Sequence, residues 1–120
     1  MIKRDKDFQS EVRKEMRGGK GEVTVRNIWT PKTELKSNYR LFAKLVLPPG
    51  ASIGFHIHDR EEEVYVVLRG KAEVDDNGVT EVLNEGDTIL TGGGEGHSVR
   101  NVGDTDLILM AVIACYPAGQ

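Results

Sequence analysis

Three histidines are all the imidazoles this chain has, and their placement is what could do chemistry: His56 and His58 stand two apart, and His97 follows a run of glycines. Side chains alternate along an extended strand, so His56 and His58 share one sheet face. A short charged turn, Asp59-Arg60-Glu61-Glu62, leads to Glu63 at the head of the next strand-like run. A hairpin there returns Glu63 to the side of the two imidazoles. His97 opens a later strand, after Gly92-Gly93-Gly94-Glu95-Gly96. Imidazole nitrogen and carboxylate oxygen are the donors a divalent first-row metal takes. Three histidines and one glutamate leave coordination positions free, as reactive sites do. A single strand histidine is ordinarily no ligand, but here the whole stock falls into one arrangement. His56, His58, Glu63 and His97 are therefore the expected metal ligands, for one ion per chain. Glu63 is singled out from its acidic neighbours because it shares parity with Tyr65 and Val67, while Val64, Val66 and Leu68 point the other way. Glu61 and Glu62 are expected to belong to a solvated turn.

The elements that must carry these groups are short strands. Glu22 to Trp29, Tyr39 to Leu47, Ser52 to His58, Glu63 to Arg69, Lys71 to Asp75, Val79 to Leu83, Asp87 to Thr91, His97 to Asn101 and Asp106 to Ala114 all read as extended, with glycine and proline turns between them. Asp76-Asn77-Gly78 marks a tight hairpin, because Asn-Gly accepts the positive φ angles such a turn needs. Ahead of the strands, Phe8, Val12 and Met16 recur at helical spacing with charges between them, which predicts a short amphipathic helix over 5–17, the alternative being a loose arm. About nine close-spaced strands after one helix define an all-β antiparallel barrel or sandwich. The expected organisation is an N-terminal helix or arm over 1–21, a single barrel over 22–116 and a tail over 117–120.

Composition narrows the function classes. The chain has 120 residues and a net charge of -3, and its one cysteine, Cys115, rules out an intrachain disulfide framework. An acidic balance disfavours nucleic acid and anionic membrane as partners. The N-terminus lacks the apolar stretch of a signal peptide, and the longest apolar runs are too short for a membrane helix, so a cytoplasmic protein is expected.

Two segments carry a family resemblance. Residues 50–70, GASIGFHIHDREEEVYVVLRG, resemble the first motif of the cupin superfamily: glycine, five residues, H-x-H, three or four residues, glutamate, six residues, glycine. Residues 86–101, GDTILTGGGEGHSVRN, resemble the second motif, with Gly92 where a proline is usual. The resemblance implies a double-stranded β-helix, the jelly-roll barrel of cupins. It implies the same four metal ligands, turn roles for Gly50, Gly70 and Gly86, and a structural role for Asn101. Among Mn, Fe, Zn, Ni and Co it favours manganese or iron. For function it implies a metal-dependent enzyme on a small oxygen-rich substrate, of oxalate-decarboxylase or dioxygenase type. The alternatives are a non-catalytic metabolite-binding or sensor cupin and a sugar-isomerase-like one. It also implies a homodimer, for which Phe8, Val12, Val64, Val66 and Leu68 offer apolar surface.

A metal needs helpers. Tyr65, on the face of Glu63, is the candidate proton-handling residue or else an aromatic filler. Arg40 and Lys44 share a face of one strand and could hold an anionic substrate, or face solvent. Phe42, on that same face, and Phe55 would form apolar wall if turned inward. Glu95, in the glycine run before His97, could gate the mouth or act as a general acid, or remain a loop charge. Arg17-Gly18-Gly19-Lys20-Gly21 has the flavour of a phosphate loop but lacks its spacing, and a helix stop explains it.

Overall fold

The computed structural model describes residues 1–119 and contains ten strands: β1 (Gln9–Lys14), β2 (Glu22–Asn27), β3 (Tyr39–Leu47), β4 (Ser52–Ile57), β5 (Glu61–Arg69), β6 (Ala72–Asp76), β7 (Val79–Leu83), β8 (Thr88–Gly92), β9 (Gly96–Asn101) and β10 (Leu107–Cys115). They form a six-stranded sheet of order β1-β2-β3-β10-β5-β8 and a four-stranded sheet of order β4-β9-β6-β7. All pairings are antiparallel. This is the jelly-roll expected from the strand pattern and the two motifs.

Alternation decides what lies between the sheets. On β3, Ala43, Leu45 and Leu47 are buried, while Arg40, near the start of the strand, is exposed. On β5, Glu63, Tyr65 and Val67 are buried and Val64 and Val66 only half so. On β10, Leu107, Leu109, Ala111 and Ile113 are inward. Ile53, Val74 and Val99 answer them from the smaller sheet. Burial of these aliphatic faces drives the two sheets together, at roughly 25 cal/mol per Å² of apolar surface removed from water. Toward one end of the layer the inward positions change from aliphatic to His, Glu, Thr and Tyr, and the site lies there.

Two devices fix the frame. Asn77 and Gly78, at φ 49° and 101°, make the β6–β7 hairpin turn expected of an Asn-Gly pair. Asn101 is 2% exposed, and its Nδ2 donates to the carbonyls of Leu47 and Thr105, both at 2.8 Å, while its Oδ1 accepts from the Gly103 amide at 2.9 Å. One amide side chain thus ties the end of β3 to the loop that follows β9, a structural role.

The N-terminal segment corrects the helical expectation. Residues 5–17 form a 3-10 turn (Asp5–Asp7), the edge strand β1 and the start of a second 3-10 turn (Met16–Gly18). β1 pairs with β2 from Gln9↔Asn27 to Lys14↔Glu22. Hydrogen bonds to β2 outweigh the local helical spacing of Phe8, Val12 and Met16, as happens when a neighbouring strand offers a free edge. The following turn then presses onto β4. A Cβ at Gly19 would come within 2.1 Å of the Ser52 carbonyl oxygen, and one at Gly54 within 2.1 Å of the Arg17 carbonyl oxygen, so this backbone-on-backbone approach requires glycine on both sides. The Ser52 amide donates to the Lys20 carbonyl, and the Lys20 amide to Ser52 Oγ, both at 2.9 Å. The N-terminal turn is part of the wall of the site. Of the expected tail over 117–120, the last residue lies outside the described chain.

Candidate metal centre

Four side chains meet as expected. β4 brings His56, the residue just past its end is His58, β5 brings Glu63 and β9 brings His97, with His56 and His97 directly opposite in the β4–β9 ladder. A register shift between Ile53 and His56 lets β4 bend toward the centre. His58, Glu63 and His97 are 1–2% exposed. Nε2 of His97 lies 3.0 Å from Nε2 of His58 and 3.2 Å from Nε2 of His56, and Glu63 Oε1 lies 3.0 Å from Nε2 of both His58 and His97. The four donor atoms all fall within 4.8 Å of one another.

The opposite ring nitrogens explain why. His56 Nδ1 lies 2.7 Å from the Gly54 carbonyl oxygen, His58 Nδ1 lies 2.5 Å from Glu61 Oε2, and His97 Nδ1 lies 2.9 Å from Thr91 Oγ1. A carbonyl and an ionised carboxylate only accept, so Nδ1 carries the hydrogen in His56 and His58. Their Nε2 lone pairs then point at the centre. Thr91 lets His97 follow the same pattern. Two lone pairs 3.0 Å apart cannot hydrogen-bond to each other; a cation between them turns repulsion into bonding. With ligand bonds of about 2.1 Å, donors at a right angle are about 3.0 Å apart and tetrahedral ones about 3.4 Å. The observed edges of 3.0–3.2 Å match the right-angled case. The donor set fits a divalent first-row ion with positions left for an external ligand.

The charged groups of the centre act on one another. Burial pushes the Glu63 carboxyl up, but without a metal the protonated forms of His58 and His97 donate to it from Nε2, and these bonds and charges outweigh burial and hold it at about 2. Burial alone would lower His58, yet its bonds to Glu63 and Glu61 leave it raised. His56 is lowered, chiefly by burial.

Around the quartet the expected helpers divide. Tyr65 is 2% exposed and stacks on His97 with ring centroids 4.8 Å apart and planes 10° from parallel. Burial, then the adjacent Glu63 charge, raises its phenol well above the usual range, so it stays protonated. Arg40 reaches the site from the exposed face of β3. Its Nε and Nη2 donate to Glu61 at 2.8 and 2.7 Å, and Glu61 in turn accepts from His58. Lys44 and Phe42 are not brought to the quartet: Lys44 lies 3.5 Å from Asp5, Phe42 makes an edge contact with Tyr39, and both sit on the β3 face opposite Leu41 and Leu45, which line the site. Phe55 is 50% exposed and forms no inner wall. Glu95 is exposed, and it is its carbonyl, not its carboxylate, that holds the site, by accepting from the His58 amide at 3.0 Å. The Gly94 amide donates back to the His58 carbonyl at 2.9 Å, so the glycine turn is clamped to the ligand without the usual proline at 92.

Sequence reasoning misses several residues of the site. Glu61, expected in a solvated turn, is inside β5 with a side chain 13% exposed, and it orients His58. Its parity with Glu63 and Tyr65 is the available signal. Thr91 faces Glu63 across the β5–β8 ladder. Arg13 and Arg17, with Arg40, line a cavity of about 80 Å³ over the quartet. Among the described residues lining it, Glu63 supplies the one carboxylate.

The fold and the quartet define a β-barrel of the jelly-roll class whose four clustered side chains could hold a metal ion. The chain belongs to the cupin family: the Cupin domain model matches residues 43–113. It is 42% identical over 94% of its length to a protein of Thermotoga maritima named oxalate-binding protein, covering 93% of that relative. A crystal structure described as a predicted oxalate decarboxylase from Thermotoga maritima superposes with a TM-score of 0.91 at 40% identity, with 96% of this chain and 99% of that one covered. The polyketide cyclase RemF from Streptomyces resistomycificus shares the fold at TM-score 0.74 and 22% identity, covering all of this chain and 83% of the other.

Proposed function

We propose that this cupin binds one divalent first-row metal, manganese or iron in preference to zinc, nickel or cobalt, and uses it to capture a small dicarboxylate anion, oxalate in the first instance. The observation that carries the reading is the convergence of three oriented Nε2 atoms and Glu63 beneath a cavity lined by three arginines. The metal supplies two things, a positive charge and open positions that a pair of carboxylate oxygens can fill. The chain supplies the rest. Glu61, Gly54 and Thr91 hold the imidazoles, Tyr65 packs His97 in place, and the arginines favour an anion. The small cavity limits the ligand to a few heavy atoms. The name of the Thermotoga relative supports the choice of oxalate. Calorimetric titration of the manganese-loaded protein with oxalate tests it. Saturable binding at one oxalate per chain, absent from metal-free protein, is expected; heat no different from buffer would refute it.

A second reading is turnover, decarboxylation of the bound dicarboxylate. Tyr65 favours it, as a buried phenol that keeps its proton beside the centre. The cavity holds no carboxyl free of the metal to serve as acid, and Glu95 is exposed to solvent, so binding without turnover is preferred. Formate and carbon dioxide released from oxalate under air would decide for turnover. A homodimer through the exposed apolar side chains Val12 and Leu68 completes the proposal.

A further inference from the structure

Three arginines, Arg13, Arg17 and Arg40, line the cavity, and they are not equivalent. Arg40 is committed to Glu61 through two short hydrogen bonds. Arg13 donates to Glu11 Oε1 at 2.6 Å. Arg17 has no ion pair and no side-chain hydrogen bond among the described residues. Its backbone is also unusual. Arg17 sits at φ 54°, ψ 31°, in a turn that opens with Glu15 at φ 47°. A long side chain in the left-handed region costs about 1 kcal/mol or more and persists where the surroundings impose it. Here they do, because the Arg17 carbonyl is pressed against Gly54, whose own carbonyl orients His56. The same turn puts Met16 against the hydrophobic core. The result places an unpaired cation in the lining of the metal cavity, beside His56, Glu63 and Tyr65.

Resting on the dicarboxylate reading above, we infer that Arg17, presented by the N-terminal turn and not by the barrel strands, is the specificity-determining residue that holds the carboxylate of the ligand farther from the metal. One carboxylate alone could satisfy the metal. The second needs a fixed cation of its own, and a guanidinium fork not already paired is the group that matches it. Arg17 therefore separates dicarboxylates from monocarboxylates, while metal affinity is set by the quartet and its hydrogen-bond partners.

The test uses the full-length protein loaded with Co²⁺, whose visible spectrum reports both retention of the metal and entry of a ligand. Wild type, Arg17→Gln, Arg17→Lys and Arg17→Gly are titrated with oxalate and with formate. Arg17→Gly keeps the left-handed backbone while deleting the cation, so agreement between it and Arg17→Gln removes backbone strain as a cause. Both neutral variants are expected to keep the wild-type cobalt spectrum and to lose at least about 10-fold in oxalate affinity, about 1.4 kcal/mol, with formate changed less than about 3-fold. Arg17→Lys should recover part of the loss. Unchanged oxalate affinity in the neutral variants, or equal losses for oxalate and formate, overturns the assignment of Arg17 and leaves the dicarboxylate reading standing. A wild-type spectrum indifferent to oxalate overturns both.

Discussion

Replacing Glu61 by Ala should weaken metal binding without touching a metal ligand. Glu61 accepts from His58 Nδ1 at 2.5 Å and fixes the tautomer that aims Nε2 inward. It does so with a side chain 13% exposed, held in turn by both nitrogens of the Arg40 fork. A hydrogen bond to a charged acceptor contributes roughly 1.5–3 kcal/mol, and losing the partner of a metal-bound histidine typically costs about 10–100-fold in affinity. The two scales agree, since about 1.4 kcal/mol is tenfold. His58 Nδ1 is largely enclosed, so water replaces the carboxylate poorly, and a loss of about 30-fold is expected. Arg40→Ala should produce a smaller loss, because Glu61 keeps its bond to His58 and loses only its own clamp. The assay is competition for Mn²⁺ or Zn²⁺ against a chromophoric chelator, for wild type and both variants. A Glu61→Ala variant whose metal affinity lies within about twofold of wild type would refute the claim that this carboxylate orients the ligand.

Other predictions follow from the same geometry. Metal affinity falls as pH drops, because the ion takes the imidazole that has lost its proton. His58 is raised above the ordinary histidine value near 6.5, so competition by protons begins above that pH and grows below it, while Glu63, held at about 2, stays ionised throughout. Chelator competition from about pH 8 to about pH 5 that shows no weakening would contradict this. Thr91→Val removes the partner of His97 Nδ1 at a position 1% exposed, and should cost about 1–3 kcal/mol in the metal-free protein; a melting temperature equal to wild type would show the bond to be idle. Light scattering should give a dimer, and a monomer at high concentration would leave Val12 and Leu68 as ordinary exposed side chains.

What can be read from the residues, and what cannot, divides along local and non-local physics. The quartet is legible because histidine is scarce in this chain and because strand alternation is a strictly local rule. The same rule places Glu63, Tyr65 and Val67 inward on β5. Asn77-Gly78 is legible because few residues tolerate a primed turn. The N-terminal segment is not. Phe8, Val12 and Met16 obey a helical period, but the free edge of β2, which pairs Val12 with Thr24, lies outside any local window. Arg17 illustrates the same limit: its place in the cavity lining depends on the contact between its carbonyl and Gly54, far along the chain. Glu61 is within reach, since its parity matches Glu63, but an acidic run beside a turn reads as solvated until Arg40 is seen to neutralise it. Lys44 and Phe42 show that a strand carries no label for its inner face: β3 turns Leu41 and Leu45 to the site and these two away.

The most direct test is anomalous diffraction from a crystal of the protein purified without added metal and soaked in Mn²⁺, with data on both sides of the metal's absorption edge. One peak per chain is expected, bonded to Nε2 of His56, His58 and His97 and to a Glu63 oxygen. A difference map without a peak there, or a peak bound elsewhere while the three imidazoles remain bare, would contradict the account at its root.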